Sequence, residues 1–299
     1  MNIKQPFISI VIPTWNRVDQ VINAVNSIPK EFDFENEIIV NDNFSDISFS
    51  DNLTKHFENR PSVKVFRNQR HVSMTENWNI SLKKAKGDWI TLLCSDDEFL
   101  PENFSGFRQY LKTIKDYYLI LQNPSNDKIE MLKAGYKSVN KITLPIASGN
   151  FINKKILEEN EYFDERLKYS PDGEYWYRLA SKYNTILYNG KIAKYNVHDK
   201  NYMWENWTYD DIIDQMILIN TLNAKHKNIS IETTNEKTKW DHYKFFVFSS
   251  VGSKVRSKVF KKYFLKTLIY CLKNFQFYYL LKVFGAYLFR SLKRILNGN

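Results

Sequence analysis

Short apolar, β-rich runs recur along the first third of this chain, and each stops at a cluster of polar residues. Residues 7–12 read Phe-Ile-Ser-Ile-Val-Ile and give way to Pro13, Thr14, Trp15, Asn16 and Arg17. Residues 37–40, Glu-Ile-Ile-Val, end in Asn41, Asp42, Asn43, Phe44 and Ser45. Residues 63–66, Val-Lys-Val-Phe, end in Arg67 and Asn68, and residues 89–93, Trp-Ile-Thr-Leu-Leu, end in Cys94, Ser95, Asp96 and Asp97. Such runs, closed by turn residues, signal strands. Between them the spacing becomes helical: Val18, Val21, Ile22, Val25 and Ile28 share a face, and a second helix is predicted over residues 75–86. Strands alternating with helices build a mostly parallel sheet flanked by helices on both faces, a Rossmann-like α/β fold. Pro13 is expected to break the first strand. The polar ends of the strands then share one rim, and ligands of open α/β sheets bind outside the carboxyl ends of the strands.

What the fourth strand brings to that rim narrows the chemistry. Hard divalent cations such as Mn²⁺ or Mg²⁺ prefer oxygen ligands, and are often held by one or two carboxylates together with substrate phosphates. Asp96 and Asp97 suit such a metal–diphosphate site, although a solvated turn after a strand explains the pair equally well. Asn43 and Ser45 suit an ordinary turn, and Arg17, Asn77 and Asn79 suit solvated helix surfaces. Their joint order favours function.

That order is Val-Ile-Pro-Thr-Trp-Asn-Arg at 11–17, Ile-Ile-Val-Asn-Asp-Asn-Phe-Ser-Asp at 38–46, Arg67-Asn68 with Asn77-Trp78-Asn79, and Ala-Lys-Gly-Asp-Trp-Ile-Thr-Leu-Leu-Cys-Ser-Asp-Asp-Glu-Phe-Leu-Pro at 85–101. It resembles family-2 glycosyltransferases of the GT-A fold over residues 7–104, and more weakly to about residue 202. The resemblance implies a metal-dependent, inverting transfer of a sugar from a nucleotide-sugar, a UDP-sugar, to a glycan acceptor. The acceptor would be a lipid-linked or surface glycan, in bacterial polysaccharide or lipopolysaccharide assembly. It places Pro13, Thr14 and Arg17 in the loop lining the nucleotide pocket. Asp42 falls on the acidic position that reads the base, flanked by Asn43 and Ser45, while Asn68 and Asn79 border the nucleotide-sugar. Asp96 falls on the metal-binding Asp of the Asp-x-Asp motif, with Asp97 next to it. The motif's first Asp falls on Cys94, a departure that leaves Ser95 or Asp97 to supply the missing ribose or metal contact.

The acceptor side lies further along. Residues 145–152, Pro-Ile-Ala-Ser-Gly-Asn-Phe-Ile, read as a strand edge broken by a turn, where Gly149 would allow a sugar close to the backbone. Residues 169–179 resemble the family's acidic motif at a helix start, an Asp six residues before an Arg, met by Asp172 and Arg178; Pro171 stands where most relatives carry Glu. Asp172 is the expected catalytic base, with Glu174 in reserve, and Gly149, Glu174 and Arg178 are expected to bind the acceptor. A base is needed because a hydroxyl is a poor nucleophile until its proton is taken, and a bound metal neutralises the charge on the leaving diphosphate. One carboxylate and one metal suffice for a single in-line displacement, which inverts the anomeric centre. Asp172 at a helix start would also serve as an N-cap. His198 falls where relatives often carry a His near the metal and diphosphate, and is a third expected ligand; an imidazole can bind a transition metal or donate to phosphate, and a packing role is the alternative.

Charge is segregated along the chain. The net charge is +10, yet residues 242–299 hold 12 Lys and Arg and no Asp or Glu, leaving 31 basic against 33 acidic residues elsewhere. This tail is rich in Phe, Tyr and Leu, but Lys273 and Lys282 interrupt it before it reaches the ~20 apolar residues of a membrane span. A basic amphipathic helical tail of this kind suits an anionic membrane surface. Packing on the catalytic domain or binding to nucleic acid would use a similar surface; no nucleic-acid partner is expected. Residues 225–239, rich in Lys, Asn, Thr and Glu, read as a linker after a helical stretch at 210–222. The expected division is a GT-A catalytic domain over 1–224 and a linker with the basic tail over 225–299. The two cysteines, Cys94 and Cys271, are not expected to form a disulfide, and no signal peptide is expected. The expected location is cytoplasmic, peripheral at the inner face of the cell membrane. Two other classes stay open. A sugar nucleotidyltransferase should show a glycine-rich phosphate loop after the first strand, which residues 13–17 lack. A non-catalytic nucleotide-sugar-binding or membrane-binding protein is compatible with Cys94 in the metal motif.

Overall fold

A computed structural model describes residues 6–125, 127–139, 141–142, 147–168, 170–196 and 209–227, and further on 264–265, 268–269, 271–273 and 277–296. Two compact units are distinguished, residues 1–197 with 219–230, and residues 198–218 with 231–299. The first contains β1 (Ile8–Thr14), α1 (Val18–Asn26), β2 (Asn36–Asp42), α2 (Ile47–His56), β3 (Val63–Arg67), α3 (Met74–Leu82) and β4 (Trp89–Leu92). These are followed by β5 (Glu98–Phe99), α4 (Pro101–Leu111), β6 (Leu119–Gln122), β7 (Glu130–Leu132), α5 (Tyr136–Val139), β8 (Phe151–Asn153), α6 (Lys154–Glu158), α7 (Pro171–Lys182), β9 (Thr185–Tyr188) and β10 (Ala193–Lys194).

Eight of these strands form one sheet in the order β3-β2-β1-β4-β8-β6-β9-β7. β1 to β4 are parallel to one another, β8 is antiparallel between β4 and β6, β9 runs parallel to β6, and β7 closes the far edge antiparallel. The mostly parallel α/β sheet expected from the sequence is present. β10 pairs with β5 in a separate two-stranded sheet.

Strand periodicity decides which helix covers which face. Side chains alternate between faces along a strand, so Ile8, Ile10, Ile12, Ile38 and Val40 point to one side, with Val21 and Val25 of α1, Leu53 of α2 and Phe104 and Phe107 of α4. Val11, Ile39, Ile90 and Leu92 point to the other, with Trp78 and Leu82 of α3, Ile156 of α6 and Tyr175, Trp176 and Leu179 of α7. Pro13 does not break β1, which continues to Thr14 in register with Asp42. β4 pairs with β1 only as far as Val11. Beyond that point this side of β1 is an edge, where proline is tolerated.

The helix Tyr209–Lys227 runs through residue 225, so the predicted linker does not begin there; residues 228–239 lie outside the described residues. The second unit contains the helix Phe277–Leu296 and a small cluster around buried Cys271 with Phe264, Leu268, Tyr279 and Leu280. Neither cysteine is in a disulfide. Among the described residues, no helix is long and apolar enough to cross a membrane.

Candidate functional site

The carboxyl ends of β1, β2, β3 and β4 share one rim, as parallel strands require, and the loops there are tied to one another. Asn43 donates its backbone N–H to Thr14 O at 2.8 Å, Asn68 to Asp42 O at 2.8 Å, and Asn16 to Ser45 Oγ at 2.9 Å. Left-handed backbone is costly for residues other than glycine and tends to gather at functional sites. Three such residues stand at these loops and at the start of α7: Asn16, Phe44 and Ser170, with φ of 52°, 63° and 46°.

Beneath the rim lies a buried amide network. Asn41 Nδ2 donates to Asn68 Oδ1 at 3.0 Å and to Asn77 Oδ1 at 2.9 Å, and Asn68 Nδ2 donates to Asn77 Oδ1 at 2.9 Å and Asn43 Oδ1 at 3.2 Å. Asn43 also exchanges hydrogen bonds with the Val72 backbone. Asn43 and Asn68 therefore brace the ends of β2 and β3 from below. Asp42 is sealed from solvent. Its carboxylate accepts from Ser45 Oγ at 2.5 Å and Ser50 Oγ at 2.8 Å, with Arg67 Nε at 3.7 Å. Its visible work is to hold the Asn43–Ser45 turn. Thr14 is buried at the end of β1, and its hydroxyl has no hydrogen-bond partner among the described residues.

After β4 the chain turns sharply, with Asp97 N–H donating to Cys94 O at 2.9 Å. Cys94, Asp96 and Asp97 each present one ligand atom, and these atoms lie within 4.8 Å of one another. Arg17 reaches across from the β1 loop and pairs with Asp96 at 2.7 Å. Asp97 is buried, accepting from Ser148 Oγ at 2.5 Å and from the Asn196 N–H at 3.0 Å. Burial pushes its carboxyl up to about 6. The same Ser148 hydroxyl accepts from Cys94 N–H at 2.9 Å, and Asn196 also donates to Asp96 O at 2.9 Å. The segment after β10 is thus clamped onto the acidic turn, which sets Tyr195, 43% exposed, beside it.

Asp172 belongs to the same group. Burial, then the carboxylates of Asp97 and Asp96, and further Asp172, push the Cys94 thiol well up. Burial, then Asp96, Asp97, Cys94 and Asp172, push the Tyr195 phenol up. The β4 turn, the segment after β10 and the start of α7 are thus near enough for their charges to act on one another. Ser170 is the N-cap of α7 and Pro171 its first residue, a position that suits proline because no N–H is needed there. Asp172 comes next, inside the first turn and not at the cap. Its carboxylate accepts from Ser170 Oγ at 3.1 Å, and burial pushes it up from the usual aspartate range.

Other predicted residues are not in this group. Asn79 is a brace: its amide donates to Phe163 O and Glu165 Oε1, both at 3.0 Å, and accepts from Phe163 N–H at 3.0 Å. This ties α3 to the loop leading into α7. Glu174, expected on the acceptor side, is 1% exposed and pairs with Arg178 at 2.9 Å and His226 Nε2 at 3.0 Å. Arg178 also binds Glu161 and donates to Tyr162 O at 2.6 Å. Both are engaged in buried ion pairs, as residues four apart on one helix face allow. Gly149 does not leave room for a sugar. A Cβ there would lie 2.8 Å from Ala193 Cβ and 2.9 Å from Gln122 Nε2, at a φ of +80°. The close approach is made by protein. Gly149→Ala is expected to cost about 2–4 kcal/mol, from left-handed strain plus overpacking, read as a lowered urea midpoint. Ser95 is buried in the β4 turn, and His198 lies outside the described residues.

Sequence reasoning missed Ser148, Gln122, Tyr195 and Asn196 as parts of the site. Gln122 holds the turn at Ser148 by donating to its carbonyl at 2.8 Å, and accepts from Ile192 N–H at 2.9 Å. Their only local signal was a lone polar residue at the end of β6 and an exposed aromatic after β10.

The model of the family described as Glycosyl transferase family 2 matches residues 9–160. A GalNAc(5)-diNAcBac-PP-undecaprenol beta-1,3-glucosyltransferase of Campylobacter jejuni is 31% identical over 191 residues, covering 58% of this chain and 60% of its own. The curated relatives compared are matched over 26% to 74% of their own length. Among solved structures, S. aureus TarS 1-349 in complex with UDP-GlcNAc is similar at a TM-score of 0.57 and 16% identity, covering 88% of this chain and 80% of TarS. A mannosyltransferase of Pyrobaculum calidifontis with GDP-Man and Mn²⁺ is similar at a TM-score of 0.58 and 11% identity, covering 99% of this chain and 89% of that one. At these identities the two structures speak for the fold.

Proposed function

The chain belongs to glycosyl transferase family 2, and we propose that it moves a sugar from a UDP-sugar to a hydroxyl of a lipid-linked glycan, with inversion at the anomeric carbon, in polysaccharide or lipopolysaccharide assembly. The observation that carries this reading is the cluster of Cys94, Asp96 and Asp97 at the carboxyl end of β4, faced by Arg17; Asp172 stands near enough to act on Cys94 through its charge. The Campylobacter relative is named for a PP-undecaprenol-linked glycan, which supports the acceptor class. The neighbours holding UDP-GlcNAc, and GDP-Man with Mn²⁺, support a nucleotide-sugar donor and a divalent ion. The location proposed is peripheral, at the inner face of the cell membrane.

The donor set fits a hard divalent ion. Asp96 and Asp97 offer oxygens, Asp97 being already oriented by Ser148 and Asn196. The Cys94 thiol keeps its proton and is the wrong ligand for Mg²⁺ or Mn²⁺. Asp96 and Asp97 would hold the ion, with His198 the third ligand expected from the family pattern. When bound, such an ion neutralises charge on the leaving diphosphate.

The rest falls to side chains of this chain. Thr14 and Arg17 face the nucleotide and diphosphate, while Asp42 shapes the base pocket through the turn it holds. Asp172 takes the acceptor hydroxyl proton as that oxygen bonds to the anomeric carbon and the bond to the diphosphate breaks. Tyr195 offers an aromatic face to the acceptor sugar.

Titration calorimetry with a panel of nucleoside diphosphates, with and without Mn²⁺, tests the donor site. UDP binding that requires the ion is expected. Absence of binding by every nucleotide would sink the reading.

A further inference from the structure

We propose that the helix Phe277–Leu296 lies along an anionic phospholipid surface with the side chains of Phe277, Leu281, Phe284, Leu288 and Leu292 in the lipid. Their intervals of four, three, four and four residues put them in one stripe on an α-helix. All five are exposed, from 46% at Phe284 to 73% at Leu281. The helix has a second, partnered side, since Tyr279 and Leu280 pack with Phe264 and Leu268 around Cys271. The stripe is therefore not the core of this unit. Leu265, Ile269 and Leu272, in the helical pieces before it, are exposed as well. An exposed apolar helix stripe of this kind marks a site of interaction.

Charge selects the partner. The 12 Lys and Arg of residues 242–299, with no acidic residue among them, complement a negatively charged surface. Tyr278 is 63% exposed with the Lys282 ammonium 4.6 Å from its ring centroid. Such side chains place an apolar body in the lipid and a polar tip among headgroups. Because no described helix can span a bilayer, a stripe flanked by charge fits a helix lying in the interface. Docking there would bring the enzyme to a lipid-carried acceptor. That benefit rests on the transferase reading; the binding itself does not.

The test is sedimentation of the full chain with phosphatidylcholine vesicles, with or without about one third phosphatidylglycerol. Binding is expected to the anionic vesicles only and to weaken at high salt, as screening shortens the electrostatic reach. Leu281→Asp with Leu288→Asp should lower vesicle affinity at least ~10-fold while leaving UDP binding unchanged. Leu281→Phe should retain full vesicle binding. Leu281→Gln, at the most exposed of the five positions, repeats the loss with little risk to folding. Absence of vesicle binding, or binding indifferent to these variants, overturns the proposal. So does a wild-type dimer in vesicle-free solution that the double variant makes monomeric, for then the stripe is a self-contact. Vesicle binding without any nucleotide binding upholds the lipid face and counts against the transferase; the reverse result does the opposite.

Discussion

Asp172→Asn is expected to lower turnover by roughly 100- to 10,000-fold, the range of a lost general base, and to leave UDP affinity unchanged by calorimetry. The substitution keeps size and first-turn hydrogen bonding, so it removes proton acceptance and little else. Two further results follow from burial pushing this carboxyl up. Transfer needs the ionised form, so the wild-type rate falls as pH drops through a value above the ordinary ~3.9 of aspartate. For stability the sign is opposite to that of a salt-bridged Asp. The folded state holds the proton more tightly than the unfolded chain, so this group favours folding most at pH below ~3.9 and loses that contribution as pH rises through its folded value. At neutral pH the variant's Tm should therefore be unchanged or raised. Full turnover in Asp172→Asn would remove the base assignment and leave Asp172 a helix-start residue.

Asp96→Ala is expected to abolish the ion-dependent part of nucleotide binding, with a loss of at least ~100-fold in UDP affinity in the presence of Mn²⁺. The readout is calorimetry, independent of turnover. Asp96 pairs with Arg17, and removing it takes away that pair and would leave a bound ion one carboxylate fewer. Metal-free binding is the control, and it should change far less. Equal losses with and without Mn²⁺ would instead assign Asp96 to holding the Arg17 loop. Asp97 is the less informative position, because its contacts to Ser148 and Asn196 also hold the turn, and Asp97→Ala would confound ion binding with loss of structure.

The first four strands and the helices α1 and α3 were legible because their signals are local, whereas α2 (Ile47–His56) was not read from the sequence. Val11 and Ile39 differ from Ile10 and Ile38 only by one step of a two-residue period, yet that step decides which core they enter. The rim was legible for the same reason: parallel strands must end together, so Asp42, Asn68 and Asp96 could be placed near one edge before any contact was known. Where the reading failed, the deciding neighbour was distant in sequence. Glu174 and Arg178 have the helical spacing of a surface pair, but Glu161 and His226 enclose them. Gly149 announces a close approach without saying that Ala193 and Gln122 make it.

By itself, then, the sequence determined the first four strands with α1 and α3, the rim on which their polar ends gather, and the segregation of positive charge into the last 58 residues, 242–299. Each follows from periodicity or composition within a short stretch. Only the tertiary structure decided that Ser148 and Asn196 orient Asp97, that Asn79 braces the approach to α7, that Asp172 comes within electrostatic reach of Cys94, and that one stripe of the helix Phe277–Leu296 stays exposed. Those facts depend on which elements pack against one another. A residue's spacing within its own segment carries no record of the partner that will bury it.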